Sequence, residues 1–144
     1  MTMLLKKTGC LSGKALVDKL GFSFENKFTD TELSYIVAAN CIGIVNGRGN
    51  GIFDPDAGIT RQEAAVMLAN AAAVLGIKGE EAMRFNDMAN AATWAQNAIS
   101  TVTSIVSTTG ARVMGGVGND MFDPLGAYNR QQAILTVYRL YMSK

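Results

Sequence analysis

One phrase occurs twice in this chain, each time where a glycine-rich loop runs into a predicted helix, and a chain that repeats itself folds by stacking like units. The first copy is Gly47, Gly49, Asn50, Phe53, Asp54, Pro55, Ile59, Thr60, Arg61, Gln62, Ala64. The second is Gly116, Gly118, Asn119, Phe122, Asp123, Pro124, Tyr128, Asn129, Arg130, Gln131, Ala133. A Phe-x-Asp start precedes each copy, Phe28 with Asp30 and Phe85 with Asp87, so the duplicated unit runs from that start to the end of the following helix.

Hydrophobic spacing fills in the elements. Leu11, Ala15, Leu16 and Leu20 recur at helical intervals behind Ser12, a good N-cap, and Gly21 ends the run. Ser12, Gly13 and Lys14 stand where Thr60, Arg61 and Gln62 stand later, which makes residues 11 to 20 the last helix of an otherwise absent repeat, without its arginine. The next helix is expected from Asp30, as N-cap, to about Ile42. Gly47, Gly49 and Gly51 allow a sharply turned loop that Phe53 pins to the core. Thr60 with Glu63, and Asn129 with Gln132, have the spacing of capping boxes. The small residues of the Ala64 to Leu75 helix favour close packing of helix on helix. Another helix begins at Ala92 or Thr93, with Trp94, Ala98, Ile99, Val102 and Ile105 to Val106 as its apolar stripe. The second repeat is the longer, and the polar, turn-forming stretch 104–112 reads as a surface insertion. The organisation is a remnant at 1–27, a first repeat at 28–78 and a second at 79–144, in an all-α fold.

Composition removes whole classes of function. Lys and Arg total 13 against 12 Asp and Glu, a formal charge of +1, so no global basic field holds nucleic acid or an anionic membrane surface. The chain has no His, the usual base near neutral pH and the commonest metal ligand. Cys10 and Cys41 share no metal-binding spacing, and whether they pair is left open by the sequence. Asp54, Asp56 and Gly58 are out of register for a calcium loop, Gly47 to Gly51 lacks the lysine of a phosphate-binding loop, and Glu80 with Glu81 lies on a joint. No metal, cofactor or catalytic constellation is expected, and the chain reads as non-enzymatic. The longest apolar run, Ala64 to Ile77, is too short to span a bilayer, and no secretion signal follows Lys6 and Lys7.

The order Phe-x-Asp, helix, Gly-x-Gly-Asn loop, Phe-Asp-Pro, Ile-Thr-Arg-Gln-Glu-Ala resembles the S-layer homology (SLH) repeat of bacterial cell-surface proteins. That resemblance implies helix-loop-helix units around a central helical bundle, pseudo-threefold if the N-terminal helix completes it. It also implies non-covalent anchoring to the cell wall, on an acidic, pyruvylated secondary polysaccharide. The positions it marks for the ligand are Arg61 and Arg130, the loop glycines Gly47, Gly49, Gly116 and Gly118, and Trp94, which opens Trp-Ala-Gln-Asn-Ala-Ile. By spacing alone each arginine is equally a fastener, pairing with Asp54, Asp56 or Asp123, and Trp94 is equally a core residue. The first repeat has Thr31 where the second has Trp94, with Tyr35 one turn on, and Gln132 replaces the motif's acid. These departures favour a second expectation, a protein-protein or self-assembly module packing on the rest of a larger exported protein or on another copy.

Overall fold

The computed structural model describes residues 1–144, with helices α1 (Thr2–Thr8), α2 (Gly13–Lys19), α3 (Ser34–Cys41), α4 (Arg61–Val74), α5 (Thr93–Ser104) and α6 (Arg130–Tyr141). A single 3-10 turn, Met88–Asn90, precedes α5, and strand-like pairing is confined to isolated bridges, so the fold is all-α. No helix is long and apolar enough to cross a membrane. The chain divides into two compact units, Met1–Ala57 and Gly58–Lys144. The division falls inside the first sequence repeat, between its loop and its second helix.

In the first unit, Ser12 Oγ accepts from the Ala15 amide and caps α2, which packs on α3. The approach is close: a β-carbon built on Gly13 would lie 2.7 Å from Ala38 Cβ, so the position that carries arginine in the other repeats has no room here for a side chain in its present packing. Leu16 and Val17 are buried, whereas Leu11 is 98% exposed and lies outside the helix, so the expected stripe shrinks to one turn. Helix α3 starts at Ser34 behind an uncapped Leu33, four residues after Asp30. Asp30 is not its N-cap because its carboxylate is taken by the Phe53 and Asp54 amides. Cys10 and Cys41 are free, half-buried thiols.

In the second unit, α4 and α5 form the main helix pair. Ala64, Ala65, Leu68, Ala71 and Ala72 make a small-residue stripe along α4, and Ala95, Ile99 and Val102 are the buried positions of α5. Both follow helical spacing. The 104–112 stretch is a surface feature only at its tip: Ser104, Ile105 and Ser107 are buried, and the exposed turn is Thr108 to Gly110. Helix α6 buries only Thr136 and Leu140, and leaves Ile134 67%, Leu135 46% and Tyr138 53% exposed.

Candidate functional site

The two glycine loops have nearly the same local structure. Phe28 lies on Phe53 with ring centroids 5.3 Å apart, and Phe85 lies on Phe122 at 5.4 Å, with interplanar angles of 54° and 55°. The tip closes through Arg48 N to Ile52 O in one loop and Val117 N to Met121 O in the other, each 2.8 Å. Asn50 and Asn119 both take φ of 51°, and Asp54 and Asp123 take 59° and 57°, the left-handed region that Asn and Asp enter more readily than most residues. The leading glycine serves packing: a β-carbon at Gly47 would lie 2.7 Å from the Phe28 ring and 2.5 Å from Ile52 O, and at Gly116 3.0 Å from the Phe85 ring and 2.7 Å from Met121 O. Gly49 and Gly118 face open space and supply positive φ at the turn.

The aspartate of the Phe-x-Asp start holds each loop shut. Asp30 accepts from the amides of Phe53 and Asp54, and Asp87 accepts from those of Phe122 (2.8 Å) and Asp123 (2.7 Å). The Phe53 and Asp54 amides hold the Asp30 carboxyl below its usual range. At Asp87 burial pushes upward, and the Phe122 and Asp123 amides with the nearby Arg61 charge outweigh it, leaving the carboxyl lowered. The signal was in the sequence as the Phe-x-Asp start, which a helix-cap reading absorbed.

What differs is the outer face of each loop. The start of α4 sits on the second loop. Arg61 Nε donates to Phe122 O and its Nη2 to Gly115 O, both at 2.8 Å, and the guanidinium lies 4.7 Å from the Phe122 ring centroid. The Arg61 and Gln62 amides, which no helical carbonyl can reach, donate to Gly126 O and Pro124 O, each at 2.9 Å. The adjoining chain pairs as a bridge, Thr60 with Ala127, and Tyr128 N donates to Ile59 O. Arg61 is therefore buried, and it forms no ion pair: it fastens the loop through carbonyls, while Asp54 pairs with Arg48 at 3.7 Å. Burial lowers the guanidinium from its usual value, and Asp123, Tyr128 and Asp87 act in the opposite direction.

Both helix starts close as capping boxes: Thr60 with Glu63, and Asn129 with Gln132. An amide in place of the acid keeps the geometry, since Gln132 Oε1 accepts from Asn129 N at 3.0 Å.

Residues 43–65, which span the first loop, the Phe-Asp-Pro phrase and the α4 start, match the family model of the S-layer homology domain. That segment is similar to the S-layer homology (SLH) domain. SLH domains are non-catalytic, cell-wall-binding modules of cell-surface proteins. A search of curated proteins found no match to the chain.

Within this SLH frame the remaining motif positions separate. Arg130, which holds the place of Arg61 in the second copy of the phrase, is exposed, and its side chain makes no hydrogen bond or ion pair. The Arg130 and Gln131 amides have none of the carbonyl partners that Arg61 and Gln62 have. Trp94 is 60% exposed, two residues beyond Ala92, whose amide donates to Gln62 Oε1. It stands on the surface rather than in the core. Thr31, its counterpart in the first repeat, is buried, and Tyr35 is 51% exposed. A cleft of about 420 Å³ opens at the α2 start beside Ser12, Gly13, Ser34 and Tyr35.

Proposed function

We propose that this chain anchors its protein to the cell wall by binding an acidic, pyruvylated secondary polysaccharide through the arginines that open α4 and α6. The observation that carries the reading is Arg130, an unpaired guanidinium ahead of two open helix amides, where the helix dipole adds to the attraction for a carboxylate. Arg61 contributes as well: a guanidinium has five N–H donors, and its two loop bonds use two of them. Trp94 offers a ring face for a sugar, and the Gly116 to Gly118 turn offers backbone near Arg61. Gly47 and Gly49 offer a backbone turn of the same shape in the first repeat. One charge-assisted contact is worth about 1.5 to 3 kcal/mol, so firm anchoring comes from several sites on one polymer.

The test is a pull-down on purified cell-wall sacculi with and without their secondary polymer. Polymer-dependent retention of the wild type, reduced by Arg130→Ala and lost in Arg61→Ala/Arg130→Ala, is the expected result, with circular dichroism confirming that each variant is folded. Equal retention of the folded double variant would sink the reading. One observation favours the alternative of a protein-protein module: the α4 start, side chain and amides alike, gives four hydrogen bonds to protein carbonyls.

A further inference from the structure

The junction between α4 and the second loop displays all the parts that a helix start and a glycine loop bring to each other. The helix supplies an arginine and two free amides, and the loop supplies four carbonyls, those of Gly115, Phe122, Pro124 and Gly126. Elsewhere the chain carries both halves of such a junction, each without its partner. The α6 start has Arg130 and the Arg130 and Gln131 amides, none of them hydrogen-bonded, followed by the exposed Ile134, Leu135 and Tyr138.

The first loop is the other half. Its carbonyls at the matching positions, Asn46, Phe53, Pro55 and Ala57, accept no backbone hydrogen bond, and the helix that precedes it, α2, has Gly13 at the arginine's place in the sequence. Its face is correspondingly open: Pro55 is exposed where Pro124 is buried, and Phe53 is half-exposed where Phe122 is fully buried. Leu11, Leu33 and Tyr35 in the same unit are exposed apolar side chains, a counterpart for the uncovered face of α6.

We propose that copies of this chain associate head to tail, the α6 start of one copy docking on the Asn46–Ala57 loop of the next, so that Arg130 completes a junction that neither copy holds alone. The contact is heterologous, because donors and acceptors lie on different surfaces, so it propagates instead of stopping at a pair. It deepens the glycan reading, since two bonds to loop carbonyls leave three N–H donors of Arg130 for a carboxylate, but the association itself needs no polymer.

Sedimentation velocity of the full chain over a rising concentration series, without polymer, tests it. The expected result is a weight-average mass that climbs past a dimer, with association weakened roughly tenfold or more by Arg130→Ala and abolished by Ile134→Glu. Both side chains are exposed, so neither variant threatens the fold. Amide NMR shifts over the same series should move in both 46–57 and 129–135. A monomer at millimolar concentration, a mass that stops at a dimer with shifts in α6 alone, or association indifferent to Arg130→Ala would each overturn the proposal. Association without polymer binding would sink only the glycan reading, and polymer binding by a strict monomer would sink only this one.

Discussion

The two glycine loops share their ring pairs, turn hydrogen bonds and left-handed residues, yet one is sealed and the other open. The second loop wears the α4 start as a lid, with Phe122 fully buried under Arg61. The first loop reaches the same backbone shape without such a lid. Loop shape in this protein is therefore set from within, by the Phe-x-Asp start and the leading glycine. The arginine adds cover to a conformation that already exists. That separation lets the same arginine type fasten a loop in one repeat and stand free in the next.

The most severe way to break the comparison is through the two aspartates. Asp87→Ala leaves the buried Phe122 amide and the half-buried Asp123 amide without their acceptor and removes a negative charge near Arg61, a loss of about 2 to 4 kcal/mol. Asp30→Ala removes the same bonds on an exposed loop, where water replaces them, and should move the urea midpoint much less. Acid provides the complementary probe. Both carboxyls are lowered in the folded chain, so the stability they give is fully present above the unfolded value near pH 4 and disappears as pH falls through their lower folded values. Urea midpoints measured from pH 7 down to about pH 2 should fall in that window, and Asp87→Asn should flatten the fall.

Next in size is the arginine pair. Arg61→Ala gives up two charge-assisted bonds and a ring contact and leaves two carbonyls covered, which amounts to about 2 to 3 kcal/mol. Arg130→Ala touches nothing in the isolated chain and should fall within about 0.5 kcal/mol of wild type when denatured at dilution. Equal losses would mean that Arg130 has a partner within the chain.

The smallest effect is at the caps, where Thr60→Ala and Asn129→Ala should each cost about 1 kcal/mol. Here the sealed and open regions should agree, because both boxes close through local bonds. A much larger loss at Thr60 would show that its cap is coupled to the bridge it makes with Ala127.

Local signals were legible in the sequence and relational ones were not. The repeat, the all-α class, the start of α5 and the two cap spacings follow from periodicity and short-range hydrogen bonding, which a linear text records. Asp30 was misread because an aspartate before an apolar run satisfies the helix-cap rule equally well, and only the amides of residues 53 and 54 decide the matter. Loop-fastening by Arg61 is one of the readings the sequence allows, but its partners are invisible there: they lie 54 and 61 residues away and are main-chain carbonyls, which every residue has. A pairing with acids was the natural expectation from side-chain chemistry alone. The exposure of Trp94 likewise depends on what packs around α5 rather than on its own spacing.

The compact units part between Ala57 and Gly58, in the middle of the first sequence repeat. What duplication copied and what water drives together are thus out of step by half a repeat. A newly duplicated copy brings a loop suited to the helix before it and a helix suited to the loop after it, so it gains cohesion only in company. Selection in such a lineage acts on seams rather than tiles. A difference at one seam, such as Gly13 where the two copies of the phrase have arginine, therefore leaves the tile on either side of it intact.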